Sequence, residues 1–495
     1  MSILNNLPFK LTFIIVLTFS NSIFGQSNSF LKTIQTVNDQ TVNDAVELPA
    51  GGFVLITSEA ISNKSTVKLI KINNNGDTIK SSIVDEQFDI SMIKSIIKRS
   101  DDTFWGIGSV SNSSLVDNNI WLLQFDNELN ILKNIKYPVP YFIFSVSAIK
   151  DHFNNIIVNG WYNYTDYINT EDIFILRFSP DGDSLSYHHF NYPSTQISNT
   201  LMEKIDKTGY YMPMWGRFFS LNYYLSNMVE LDYNFNITFE DSITNDLGRH
   251  NNIRKFNEQQ YLLSGQIFPN TISDKNQLIA VEKLDKDYHA YNYQRVGPYL
   301  VDTVTYPAWV KNMDFVDTSN VFIGGTVNLA MYPNSNQNSY LILANLDSEL
   351  NKQWQYFYGL DKYYELHGIL ATQDGGCLML ATYFNFTDNE YERDILLIKV
   401  DSNGLLTGTN QEPEFKISNA IIYPNPGTEF LNIQSGPQIT GAEFYLFDIN
   451  GKAVIVEKIT NTVLKVNTAF LPSGTYPWQI VFKNKVIESG KWVKK

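Results

Sequence analysis

One short apolar run, each time introduced by a turn signal, recurs seven times in this chain. It reads "AGGFVLITS" from Ala50, "DDTFWGIGS" from Asp101, "NNIIVNGW" from Asn154 and "TGYYMPMWG" from Thr208. It continues as "EQQYLLSGQ" from Glu258, "TSNVFIGGT" from Thr318 and "DGGCLMLAT" from Asp374. A second run follows every copy, from "KLIKINNNGD" in the first to "LLIKVDSNG" in the last. The period, roughly 50 to 60 residues, is that of a propeller blade. A unit of this length supplies four strands but cannot bury both faces of its own sheet, and stacking copies around an axis does so. In the second unit the strands, counted outward, are "SMIKSIIKR", "TFWGIGSV", "IWLLQFD" and "NILKNIKY". Asp, Asn and Gly between the third and fourth strands provide the positive-φ positions of a tight hairpin.

The seventh unit ends "LLIKVDSNGLLTGTNQEPE" and lacks an outer strand, whereas "SFLKTIQTV" from Ser29 stands ahead of the first complete unit. Pairing the two would close the ring and remove an exposed edge. The expected fold is all-β, with a seven-bladed β-propeller over residues 26–408; two smaller β domains are the competing arrangement. Hydrophobic residues at 43% and aromatics at 14% support a core built from strands. No long stretch carries the spacing of an amphipathic helix.

Residues 409–419 are polar and aperiodic and read as a linker. Residues 420–495 contain short strands separated by Asn450-Gly451 and Ser473-Gly474 turns, the pattern of a small Ig-like β-sandwich. They also carry Tyr423-Pro424-Asn425-Pro426, then Leu431-Asn432-Ile433, then Asp448, Gly451 and Lys452 within "LFDINGK", then Gly474 and Tyr476 within "LPSGTY", and a basic end. This block resembles the type A C-terminal sorting domain of the type IX secretion system of Bacteroidetes. The resemblance implies export across the outer membrane by that machinery, removal of the tag by a surface protease, and attachment to surface lipopolysaccharide or release. Pro424 and Pro426 are expected to hold a rigid, extended lead-in. Pro477 removes a ladder donor, so its strand should be an edge or contain a bulge. The repeat units also resemble, more diffusely, secreted bacterial propellers, chiefly through Asp374-Gly375-Gly376 and Asp401-Ser402-Asn403-Gly404. That likeness concerns fold and not activity.

At the other end, Lys10 precedes the apolar run "LTFIIVLTFS" and then small and polar residues up to Gly25. The run is too short to span a bilayer and fits a signal peptide over residues 1–25, so the mature chain is expected extracellular or at the cell surface, exported through the periplasm. No other segment is apolar enough for a transmembrane helix. A formal net charge of -14 disfavours nucleic acid as a partner. The single cysteine, Cys377, excludes an internal disulfide and sits in an apolar run as a small hydrophobe.

No catalytic set, cofactor motif or metal site is legible. The six histidines show no zinc spacing, and "SPDGDS" and "INNNGD" fit hairpin turns better than a calcium loop. What the blades do carry is an asymmetry of loops. The loops between second and third strands share one face of a propeller with the blade-to-blade crossings, and here they are long and aromatic. Trp161, Tyr162, Tyr164 and Tyr167 lie in the third unit, Trp215, Phe218, Phe219, Tyr223 and Tyr224 in the fourth, and Tyr383 and Phe384 in the seventh. Exposed, such rings stack on sugars or partner surfaces; buried, they pack between blades. Two function classes follow. The first is a non-enzymatic binding or adhesion module for a glycan or protein ligand. The second is an extracellular polysaccharide hydrolase or lyase, which would place paired carboxylates ~5–10 Å apart across the channel.

Overall fold

The computed structural model describes residues 29–62, 64–84, 88–99, 102–163, 171–190, 196–198, 200–218, 223–242, 247–267, 277–297, 304–330, 337–359, 362–386, 392–406 and 417–495. The segment read as a signal peptide and most of the linker lie outside them.

Each blade is tied locally before it is packed. In the second blade Asp126 ends the third strand (Asn118–Asp126), and its Oδ1 accepts the amides of Glu128 and Asn130 at 2.9 and 2.8 Å before the fourth strand (Ile131–Val139) begins. Asp232, Asp285, Asp347 and Asp401 repeat the arrangement in the last four blades. These carboxylates thus serve the amides of their own turns. Leu129, Phe235 and Leu350 occupy the positive-φ position at 61°, 63° and 62°, with buried side chains. The left-handed conformation costs roughly 1–2 kcal/mol. Burying a Leu or Phe side chain, worth roughly 1.5–3 kcal/mol, offsets it. Gly182 holds the same place in the third blade, where a Cβ would come within 2.6 Å of Ile135.

Seven blades are built this way, and their second strands are the recurring apolar runs. The inner strands are Gln40–Glu47, Ile90–Lys98, Phe142–Lys150, Leu247–Asn257 and Tyr363–Ala371 in blades one, two, three, five and seven. In blade four the inner strand is split into Gln196–Ile197 and Met202–Glu203, and in blade six into Thr305–Pro307 and Met313–Asp314. Phe30–Ile34 pairs antiparallel with Arg393–Val400, Phe30 opposite Lys399 and Ile34 opposite Ile395. The first strand among the described residues is therefore the outer strand of the last blade. Hydrophobic clusters fill every inter-blade space. The one at the seam joins Phe30, Val42 and Leu55 to Leu378, Leu380 and Leu397, so the ring is closed by apolar burial as well as by the ladder.

Residues 420–495 form the two-sheet sandwich. Ala420–Tyr423, Phe430–Ser435 and Val463–Asn467 make one sheet, and Ala453–Lys458, Glu443–Phe447, Gly474–Phe482 and Lys485–Lys494 the other. Leu431, Phe444, Leu446, Trp478 and Trp492 lie in the core between them. The Pro-Asn-Pro stretch differs from the extended lead-in expected. It turns the chain from Ala420–Tyr423 into Phe430–Ser435, and both Tyr423-Pro424 and Asn425-Pro426 are cis. Prolines donate no amide bond, so the last strand and the Asn425 side chain hold the turn instead. Trp492 Nε1 donates to Pro424 O at 2.7 Å, Asn425 Nδ2 to Lys491 O at 2.9 Å, and Val493 N to Asn425 Oδ1 at 2.9 Å. Pro477 lies in an interior strand of its sheet, which carries a register shift between Ile480 and Val481; Pro477 itself pairs with Lys491, and the ladder to Glu443–Phe447 runs from Trp478 to Val481. Ahead of the sandwich, Ile417 and Ser418 pair with Tyr358 and Phe357 on the outer strand of blade six.

Candidate functional site

The axis of the propeller encloses a cavity of about 1420 Å³ whose walls come from the inner strands of all seven blades. Regular strand alternation would turn every second residue away from it. Bulges interrupt that alternation at Val42/Asp44, Ile93/Ser95, Leu247/Arg249 and Leu366/Gly368, re-aiming polar side chains toward the axis. Blade six achieves the same by breaking its inner strand. Trp309, Val310 and Lys311 leave their own sheet and bond to the inner strand of blade seven, with Val310 N to His367 O at 2.8 Å and Lys311 O accepting Ile369 N at 2.9 Å. The break carries Trp309 to the cavity, where the residue is 46% exposed.

An arc of side-chain contacts runs along this wall from blade four to blade one. The Arg249 guanidinium lies 4.7 Å over the Trp215 ring and donates to Tyr306 Oη at 3.4 Å. Tyr306 and Trp309 rings are 4.5 Å apart. Trp309 Nε1 donates to Glu365 Oε1 at 2.6 Å, and Glu365 Oε2 stands 3.7 Å from Arg393. Arg393 donates through Nε and Nη2 to Asp39 at 2.9 and 2.6 Å, a two-point pair that pins the first blade to the seventh. Burial raises the Glu365 carboxyl above its usual range against the opposing pull of Arg393.

Behind the arc, Asp314 accepts Arg254 and stands 3.4 Å from Lys311, while Lys311 stands 4.0 Å from Asp44. Asp44 accepts the amides of Ala45 and Ile96 at 2.9 and 2.8 Å; burial nevertheless raises its carboxyl. His367 bonds through Nε2 to Thr382 at 3.0 Å and is depressed to about 3, first by burial and then by the charges of Arg393 and Lys94. Lys94, on the inner strand of blade two, also lines the cavity, and its ammonium is depressed by burial. Cys377 is fully buried and its thiol pushed up to about 12 by desolvation, which suits packing and not attack.

The aromatics singled out in the sequence divide by position. Trp161 and Trp215 line the axial cavity from neighbouring blades. Tyr162, one residue on, faces the opposite side of its sheet, stacked 4.5 Å from Phe174 with its hydroxyl 2.9 Å from that of Tyr187. Tyr383 and Phe384 are buried, and Gln35 Nε2 donates to Tyr383 Oη at 2.6 Å. Phe218 pairs opposite Tyr223, and Arg217 opposite Tyr224, at the tip of a hairpin in blade four. Tyr164, Tyr167 and Phe219 lie outside the described residues. Sequence reading missed Tyr306, Trp309, Lys94, Arg249, Glu365 and Arg393. For Lys94, Arg249 and Glu365 the signal was a charged residue inside a run otherwise fit for an inner strand, as in "MIKSI", "GRHNNIRK" and "YELHG"; Tyr306, Trp309 and Arg393 carried none.

The second functional region is the sandwich. Asp448 Oδ1 accepts the amides of Asn450 and Lys452 at 2.9 Å each, with Gly451 at φ 78°, and Tyr476 Oη donates to Pro472 O at 2.8 Å. With the Pro-Asn-Pro turn seated on the last strand, every quoted motif falls on one folded unit. Residues 421–495 match the secretion system C-terminal sorting domain family. They are a sorting domain. Such a domain implies export to the cell surface or extracellular space and interaction with type IX secretion machinery. Among the described residues, no helix is long and apolar enough to cross a membrane.

No curated protein matches the sequence. Solved structures with a likeness include PorZ, a surface component of the type IX secretion system of Porphyromonas gingivalis, at 8% identity over 92% of this chain and 81% of that one, TM-score 0.25. The Pyrococcus horikoshii acylaminoacyl peptidase is 12% identical over 82% of this chain and 59% of that one, TM-score 0.41. The α-L-arabinofuranosidase of Lactobacillus brevis is 10% identical over 63% and 92%, TM-score 0.36. None of the three assigns an activity or a ligand to this chain.

Proposed function

We propose that this chain is an exported, non-enzymatic binding protein whose propeller takes an extracellular glycan at its axial cavity. On this reading residues 1–25 are a signal peptide that brings the chain to the periplasm, and the sorting domain is removed by a surface protease, leaving the propeller on surface lipopolysaccharide or released. The observation that carries the binding role is the cavity of about 1420 Å³ lined by three tryptophans, Trp161, Trp215 and Trp309, from blades three, four and six. Pockets of this kind combine apolar faces with a few fixed polar groups. Indole faces suit the C–H faces of sugar rings, and Arg249 and Glu365 hold Trp215 and Trp309 in place. Among the described residues, the two carboxylates that line the cavity, Asp44 and Glu365, are engaged by backbone amides and by Trp309 and Arg393, an arrangement that favours binding over acid–base chemistry.

A glycan-array screen of the full mature chain tests this. Saturable binding to a defined set of glycans is expected, weakened about tenfold or more by Trp215→Ala with Trp309→Ala. Absence of binding to any glycan, or binding that survives both substitutions, would contradict the assignment.

A further inference from the structure

The described lining of the axial cavity carries more cations than anions, against the acidic balance of the whole chain. The formal net charge is -14, yet among the described residues the charged side chains lining the cavity are Lys94, Arg249, Arg254, Lys311 and Arg393 against Asp44 and Glu365. Acidic partners meet several of these cations: Arg254 and Lys311 share Asp314, Lys311 also faces Asp44, and Arg393 holds Asp39 and faces Glu365. Arg249 is stacked on Trp215. Lys94 has neither a hydrogen bond nor an ion pair among the described residues, although it stands on a walled strand between Ile93 and Ser95 and its charge reaches His367. A half-buried ammonium without a counter-charge gives up part of its hydration and gains nothing for it in the empty fold. Its cost is recovered when an anion arrives, because the ammonium then gains a charge-assisted bond in a place where water screens poorly.

We propose that the cavity takes an acidic saccharide, with a carboxylate or sulfate of the sugar on the Lys94 ammonium and sugar rings against Trp215 and Trp309. This inference rests on the glycan-binding reading above and adds the charge class of the ligand. The Trp309–Glu365 bond and the Arg393–Asp39 pair keep the wall fixed, so the anion meets a preorganised cation instead of ordering a loose one. An isolated lysine ammonium, a compact point charge with three donors, accepts either oxyanion without demanding the two-point geometry of a guanidinium.

Two measurements on the full mature chain decide it. The first is calorimetric titration with tetragalacturonate, its methyl ester, a heparin-derived tetrasaccharide and neutral cellotetraose. At least one acidic probe should bind about tenfold or more tighter than the neutral ones, and Lys94→Met should remove that preference while Lys94→Arg retains most of it. An acidic preference confined to tetragalacturonate assigns a carboxylate; one confined to the heparin fragment assigns a sulfate. Neutral saccharides bound as well as acidic ones would overturn the charge class and leave the glycan reading standing. No binding of any saccharide would remove both. The second measurement needs no ligand. The melting temperature of Lys94→Met should equal or exceed that of the parent, because an unpaired charge has been removed. A clear drop would mean that Lys94 supports the fold, and would overturn the proposal.

Discussion

Trp309 donates its indole N–H to Glu365 Oε1 at 2.6 Å, across the joint between the sixth and seventh blades. The bond ties an exposed ring at the cavity to a buried carboxyl, so ligand contact and blade packing meet in one pair. Trp309→Phe keeps a ring but removes the donor. It should lower stability by about 1–3 kcal/mol, the cost of an unsatisfied buried acceptor, and urea unfolding at neutral pH measures it. An unchanged midpoint would show that water replaces the indole.

Trp161 and Trp215 line the cavity, whereas Tyr162 packs between blades on Phe174. Tyr162→Ala should therefore destabilise by about 3–5 kcal/mol. Trp215→Ala should change the melting temperature much less and weaken glycan binding about two- to tenfold. Melting curves and titrations on the two variants separate the roles; equal loss of stability would assign Trp215 to the core.

The seam between the chain ends rests on Phe30–Ile34 in the ladder and on Phe30 in the closing cluster. Phe30→Ala should cost about 3–5 kcal/mol as a large-to-small core deletion. Deleting the whole strand should leave Arg393–Val400 as an open edge and promote aggregation, detectable by light scattering. A deletion variant that stays monomeric and melts like the parent would contradict this closure.

Acid should act through His250 and His367, both buried and both depressed to about 3 by desolvation. An unfolded histidine titrates near ~6.5, so below that pH the unfolded chain binds protons that the native chain refuses. The associated stability is full above ~6.5 and is lost as pH falls toward the folded values, at up to ~1.4 kcal/mol per pH unit for each histidine. The raised carboxyls of Asp44 and Glu365 oppose this at the acid end, where the native state takes up protons first. Urea midpoints from pH 7 to 4.5 should fall, and fall less steeply in His250→Gln. A flat profile would mean that these histidines are hydrated.

The ring was legible because its second strands are buried on both faces. Val321–Val327 and Cys377–Phe384 read as unbroken apolar runs, and Asp-led turns mark where the hairpins of blades two, four, five and six close. The axial wall was not legible, since a bulge at Ile93/Ser95 or Leu247/Arg249 changes which residues face the axis without leaving a mark in the alternation. Trp309 was hidden for another reason. It sits in the break of a split strand, and only its pairing with blade seven brings it to the cavity. Trp161 and Tyr162 are neighbours in sequence, and strand pleating sends one ring to the cavity and the other into the packing. The sorting domain was recognisable from its motifs, but the path of Pro424-Asn425-Pro426 depended on Trp492 and Val493, at the far end of the module.

The most direct test of the axial cavity as the binding site is hydroxyl-radical footprinting of the mature chain with and without tetragalacturonate or cellotetraose, whichever binds. Trp309, 46% exposed, is open to oxidation in the free protein, as are Tyr291 and Tyr293 on the outer strand of blade five. Bound saccharide should slow oxidation of Trp309 and leave Tyr291 and Tyr293 unchanged. Saturating saccharide that leaves Trp309 oxidising at its free rate, with protection elsewhere on the blades, would contradict an axial site.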